Sequence, residues 1–263
     1  MDTTTIEALA DRLIAAEATR TPIEVLSATY PEISLDDGYA IQRAIVRKKV
    51  ATGARVIGKK VAFTSRANQE MFGVREPIYG QLLDRGAHAE RVPVMASTLI
   101  DPVVDCEIGF VMRRRLEGPG VTLPDILRAS EGIMPAFELA DCRMRDWIGR
   151  AKAADILADS CANVGSVVGG QLHSLRRFDL RYTGLVAEKN GEIIGTAATG
   201  AVLGNPAEAV AWLGNKLAEA ELALEEGNLV LSGAVIGSVR MAAGDVLKAT
   251  FGGGLGSVGL KFV

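Results

Sequence analysis

The sequence predicts an α+β fold, in which a small helical N-terminal part over residues 1–54 leads into a β-rich body over residues 55–263. Three observations carry this. Apolar residues recur at helical spacing before Arg55, and after it short apolar runs alternate with Gly and Pro turns. Only two later stretches, near Pro124 and Pro206, start like helices. The body therefore reads as a β-sandwich or rolled sheet.

Thr3-Thr4-Thr5 followed by Ile6, Leu9, Leu13, Ile14 and Ala18 predicts a first helix with one apolar stripe, closed before Pro22. Ser34-Leu35-Asp36-Asp37 resembles a capping box, and a second helix runs through Tyr39, Ile41, Ala44 and Ile45 to Gly53. Val56 to Phe63 is strand-like and carries Lys60 among apolar neighbours. Such a lysine either snorkels to solvent or is held by carboxylates as a tunable proton donor. Thr122-Leu123-Pro124-Asp125 opens a short helix ending near Gly132. Asn205-Pro206-Ala207-Glu208 opens a stronger one, with Asn as cap and Pro at the first helical position. Strands are expected over 228–235, 245–251 and 257–263, the last with Val258, Leu260 and Phe262 on one face. Gly252-Gly253-Gly254-Leu255-Gly256 is not a dinucleotide loop, because no helix follows it.

The chemistry concentrates in Pro102 to Phe110. This run is apolar nearly throughout yet carries Asp105 and Glu107, which strand geometry turns to one face. Ile133 to Ala140 repeats the anomaly with Glu138. Either these acids sit on half-exposed strands facing solvent, or three carboxylates form an oxygen-only site for a hard divalent cation, Mg²⁺ or Mn²⁺. Asp155 to Asn163, dense in short polar groups, reads as an ordinary turn or a site loop.

Composition narrows the remaining classes. A net charge of −3 with scattered Lys and Arg gives no nucleic-acid footprint. Three cysteines without metal-type spacing suit a reducing cytoplasm. The acid-bearing Met1–Arg20 stretch is no secretory leader, and no apolar run reaches membrane-spanning length. Two histidines amid polar neighbours leave little basis for a zinc site or a Ser-His-Asp triad.

Several of these pieces occur together in a known order: Gly58-Lys59-Lys60-Val61-Ala62-Phe63-Thr64-Ser65, Glu76-Pro77-Ile78-Tyr79-Gly80, Asp105-Cys106-Glu107, Pro135-Ala136-Phe137-Glu138, Ala158 to Asn163, and Gly254-Leu255-Gly256-Ser257-Val258. Over nearly its whole length the chain resembles the 2-hydroxypenta-2,4-dienoate (2-oxopent-4-enoate) hydratases and the 4-oxalocrotonate decarboxylases of the fumarylacetoacetate hydrolase superfamily. The resemblance implies a fumarylacetoacetate-hydrolase-like mixed β-sandwich or roll. It also implies a cytoplasmic, metal-dependent lyase of aromatic catabolism that adds water to a 2-oxo- or 2-hydroxy-dienoate. By it, Asp105, Glu107 and Glu138 match the Mg²⁺ or Mn²⁺ ligands, Lys60 the active-site lysine, and Asp159 the acid of the site loop. Either Glu107 or Asp159 would orient the attacking water. Thr64, Ile78, Ser160, Ser232 and Gly233 are the expected substrate-binding positions.

Three departures from the pattern bear on the reaction. Asp105 stands where Glu is usual, and Ser160 and Cys161 replace other residues of the loop. Ile78 occupies a position that is usually acidic in the hydratases, whereas the decarboxylases read Pro-Ile-Tyr-Gly. Arg145-Asp146-Trp147 looks more like the hydratases, so hydration leads and decarboxylation of 2-oxo-3-hexenedioate is the alternative. A non-catalytic metal-binding partner subunit is the reading from another class. The resemblance further implies a ring-like homo-oligomer of the pentamer or decamer type, with a pathway partner enzyme.

Overall fold

The computed structural model describes residues 1–263. Its helical part comprises α1 (Thr3–Thr19), the single turn α2 (Leu26–Thr29) and α3 (Leu35–Ala51). Asp2 caps α1 by accepting from the Thr5 amide, one residue ahead of the threonine run. At α3, Ser34 and Asp37 form the reciprocal capping box that their spacing predicts. The body follows as β1 (Val56–Ala62), α4 (Arg66–Met71), β2 (Ile78–Leu83), β3 (Ala87–Ala89), β4 (Val103–Met112), α5 (Leu123–Ala129) and β5 (Ser130–Ala140). Then come α6 (Ala153–Ala158), β6 (Asn163–Val168), β7 (Gly184–Lys189), β8 (Glu192–Ala198) and α7 (Pro206–Ala218). The chain closes with β9 (Leu229–Leu231), β10 (Val239–Arg240), β11 (Val246–Phe251) and β12 (Gly256–Lys261).

These strands make two sheets. The larger is mixed, in the order β2-β1-β9-β4-β5-β6-β3, with β10 also pairing with β4. β1 runs parallel to β9 and β3 parallel to β6, while β4 and β5 form a long antiparallel pair. The smaller sheet is antiparallel, in the order β12-β11-β7-β8. Between the sheets and α7 lies the main core, which holds Phe110, Phe137, Val210, Leu213, Leu247, Phe251 and Phe262. Phe137 is fully buried, and its truncation to alanine would cost about 3–5 kcal/mol.

A second core ties the helical part to the body. Leu9, Leu13, Ile41 and Ile45 pack in one cluster with Ile78, Val103, Ala140, Ile156 and Leu157. Residues 1–54 are thus a helical layer sharing its core with strand ends and α6, with no separate core of its own.

Two local expectations differ from the structure. The expected strand over 228–235 forms a regular ladder only over Leu229–Leu231: Gly233, at φ +113°, interrupts it, although the Ser232 and Val235 amides still donate to the Ile108 and Cys106 carbonyls of β4. Its short length matters: β4 runs on past Leu231, which pairs with Gly109, and β1 pairs with Leu231 only at Lys60. Beyond β9 the chain leaves β1 but stays beside β4, so the sheet opens next to β1, and Glu107 and Asp105 lie on the stretch of β4 that follows. The Asp155–Asn163 segment is not a plain turn but α6 followed by a 3₁₀ turn. There Ser160, Cys161 and Ala162 all have left-handed φ, at 54°, 54° and 59°. Such residues cost about 1–3 kcal/mol each, and that strain collects where a site needs a particular backbone direction.

Candidate metal centre and active site

Antiparallel register sets Asp105 directly opposite Glu138. Glu107, two residues along β4, shares their face of the sheet. One oxygen from each of the three carboxylates lies within 4.8 Å of the others. Lys60 reaches the same place from β1, its Nζ 2.8 Å from Glu138 Oε2, and it also donates to the Cys161 carbonyl at 3.3 Å. The left-handed turn at 160–162 presents that carbonyl. Gly80, opposite Lys60 in β2, keeps the space open, since a Cβ there would lie 2.9 Å from the Ser160 carbonyl oxygen.

Glu107 and Glu138 are each 1% exposed and Lys60 4%, while Asp105 opens in part to the cavity above. Glu107 Oε2 accepts from the Gly233 amide at 2.6 Å, and Glu138 Oε1 from Asn163 Nδ2 at 2.9 Å. Burial pushes all three carboxyls up. Repulsion from Glu138 raises Glu107 further, whereas Lys60 pulls Glu138 back and the Ser238 hydroxyl eases Asp105. Burial alone would draw the Lys60 ammonium down. The carboxylates of Glu138 and Glu107 outweigh it and hold the amine above its usual value.

A divalent ion fits this donor set. Asp105 Oδ1 and Glu107 Oε1 are buried with no hydrogen-bond partner, an expensive condition for acceptors of this kind. All three donors are oxygens, the preference of Mg²⁺ and other hard cations. With three carboxylates ionised and one ammonium the cluster carries a charge of −2, which one divalent cation neutralises.

The cluster floors a cavity of about 300 Å³. Thr64 lines it. Gly233 acts on the cluster through its amide, and a side chain there would collide with Thr64 Oγ1 at 2.4 Å. Ser232 is buried beside it with an unpartnered hydroxyl and does not line the cavity. Three further expected residues also lie away from the cavity lining. The Asp159 carboxylate is fully buried away from the cavity, where Arg143 takes both oxygens: Nε donates to Oδ1 at 2.6 Å and the backbone amide to Oδ2 at 2.8 Å. It therefore does not face the cavity. Ile78 is 1% exposed in the core shared with the N-terminal helices, behind the cavity wall. Ser160 borders a different hollow, next to Glu17 and Lys49.

The residues that sequence reasoning missed form the cavity's wall and mouth: Phe63, Met71, Phe72, Trp147 and Ile148. Phe63 stacks on Phe72 with ring centroids 4.3 Å apart. The available signal was a cluster of large apolar residues, Met71-Phe72 and Trp147-Ile148, inside otherwise polar connections.

Comparison with known proteins agrees with this geometry. The family model described as fumarylacetoacetate (FAA) hydrolase, C-terminal, matches residues 86–263. The chain is 40% identical over 219 residues to a 2-hydroxypent-2,4-dienoate hydratase of Pseudomonas putida, covering 82% of this chain and 97% of that protein. It is 36% identical over 259 residues to the 2-oxo-hept-4-ene-1,7-dioate hydratase of Escherichia coli, covering 97% of each. The structure of 4-oxalocrotonate decarboxylase from Pseudomonas putida G7, complexed with magnesium and adipate, superposes with a TM-score of 0.96 at 34% identity. That match covers 100% of this chain and 99% of the other. Fold and sequence agree, and the chain belongs to the fumarylacetoacetate hydrolase family, among its hydratases and decarboxylases.

Proposed function

We propose that the protein is a divalent-metal-dependent hydratase that adds water to a 2-hydroxy-2,4-dienoate, giving a 4-hydroxy-2-oxo acid. One observation carries the reading: a lysine ammonium sits 2.8 Å from one of three clustered, buried carboxylates, on the floor of a largely apolar cavity. Asp105, Glu107 and Glu138 would hold Mg²⁺ or Mn²⁺, which would act as Lewis acid and template for the substrate's carboxylate and 2-oxygen. Lys60 has the charge state and position to deliver a proton to C5 of the dienol. That step leaves a C3–C4 alkene conjugated to the 2-oxo group, and water then adds at C4. Glu138 and the Cys161 carbonyl fix the direction of the lysine, and the apolar wall limits stray water. With Asp159 bound up by Arg143, Glu107 is the remaining candidate to orient the attacking water.

Decarboxylation of 2-oxo-3-hexenedioate is the second reading, favoured by the full-length likeness to the decarboxylase structure. Incubation with Mg²⁺ and 2-hydroxypenta-2,4-dienoate, followed by mass, separates the two. Gain of one water supports hydration; loss of CO₂ from 2-oxohex-3-enedioate with no hydration of the first substrate overturns it. By family likeness the chain also forms a ring-like homo-oligomer and associates with a pathway partner enzyme. A monomer mass by light scattering at micromolar concentration would refute the first of these.

A further inference from the structure

We propose that this site selects 2-oxo acids with an apolar tail and rejects those ending in a second carboxylate. The proposal rests on the cavity being a metal-assisted 2-oxo acid site, and it goes further by naming which half of that substrate class fits. Fourteen of the twenty-two residues lining the cavity are hydrophobic. Lys60 is the one cation among them, and Glu138 already holds it. Once C1 and the 2-oxygen of a substrate are placed at the carboxylate cluster, its tail meets the remaining wall. That wall is Phe63, Phe72, Trp147, Ile148, Ile156 and Ile236, with Met71 at the rim.

The neutral polar groups there are few. They are Ser238, Asn68, Thr64 and the Trp147 indole, none of them charged. No arginine lines the cavity: of those near the rim in sequence, Arg66 pairs with Glu70 at 2.8 Å and Arg150 with Glu24 at 2.8 Å, while Arg75 is exposed and outside the lining. A terminal carboxylate entering this space loses its water and gains no cation, a cost that a buried ion meets only with a partner. An alkyl or vinyl tail gains from the same burial.

Calorimetric titration of the Mg²⁺-loaded protein with 2-oxohexanoate and with 2-oxohexanedioate tests this at constant chain length and without turnover. The monoacid should bind about 100-fold more tightly, the scale on which an unpaired polar group is rejected. Met71 and Ile148 are 68% and 55% exposed at the mouth, so Met71→Arg and Ile148→Arg should be tolerated. Each should narrow the ratio about tenfold by giving the second carboxylate a partner. Affinities within about threefold of each other in the unmodified protein, or no binding of either acid, would overturn the proposal. If the ratio held while 2-hydroxypenta-2,4-dienoate took up no water, the proposed reaction would fall and this selectivity would stand.

Discussion

Two charge clusters are buried side by side in this protein, and they are built on opposite plans. In one, Arg143 closes on Asp159: its Nε and backbone amide take the two carboxylate oxygens, one Nη donates to the Asp159 carbonyl at 2.7 Å, and the other to the Asp141 carbonyl at 2.8 Å. In the other, Asp105, Glu107 and Glu138 face one lysine, and two carboxylate oxygens have no partner. Burial is alike; closure is not. The closed cluster has matched charges and nothing left to offer a ligand, so it holds the 159–162 turn against the strand. The open one keeps an excess of negative charge and unmet acceptors, which is what a cation site requires.

The sharpest way to break this contrast is to remove one charge from each side. Glu107→Gln should lower turnover about 1,000-fold, while the metal-free protein keeps or gains thermal stability because repulsion among the acids is relieved. Unchanged turnover would show that the open cluster is not the reaction centre. Arg143→Met should do the reverse. It strands a buried carboxylate and should cost about 3–5 kcal/mol in denaturant unfolding, while kcat of the folded fraction stays within about tenfold. A stable but inactive variant would contradict that assignment.

Metal dependence sharpens the comparison further. The three acids are raised in the native state, so the metal-free protein gains stability from them in acid and loses it as pH rises through their native values. Mg²⁺ must displace those protons. The rise in Tm on adding Mg²⁺ should therefore be small near about pH 5 and grow toward about pH 8. A rise independent of pH would mean that the metal binds elsewhere.

The smallest effect belongs to the other lysine of the pair on β1. Lys59 is 6% exposed on the opposite face from Lys60, and burial lowers its amine to about 8, with Glu225 only partly offsetting this. Its charge is a penalty in full below about pH 8 that is relieved as pH rises toward 10.5, its value in the unfolded chain. Lys59→Met should stabilise the protein at neutral pH by about 2 kcal/mol, with the gain shrinking in alkali. Destabilisation would reveal a partner for that ammonium.

What was legible in the sequence follows from the same physics. Two acids spaced i,i+2 in an apolar run stand out because strand geometry puts them on one face, and a third in a neighbouring run completes the set. Lys60 was visible as a cation amid Val61, Ala62 and Phe63. Asp159 was misplaced because its partner is Arg143, and nothing in Asp141-Cys142-Arg143 says that the arginine turns inward. Ile78, the position at which the resemblance leads one to expect a difference between hydration and decarboxylation, lies in the second core with Phe63 and Ala162 and does not line the cavity. The Met71 and Trp147 rim was hidden because loops acquire a common wall only once the chain has folded.

The short β9 strand and the opening beside β1 divide the machinery between two stretches of the chain. Asp105, Glu107 and Glu138 all fall within residues 86–263, the stretch matched by the family model, whereas Lys60 and the Phe63, Met71 and Phe72 wall come from the preceding segment. The metal cradle thus lies within the matched stretch, while Lys60 and one side of the cavity wall come from the segment before it, and Trp147, Ile148, Ile156 and Ile236 supply the other side. Changes confined to residues 60–72 would therefore alter proton delivery and one wall of the cavity while the three carboxylates stay in place.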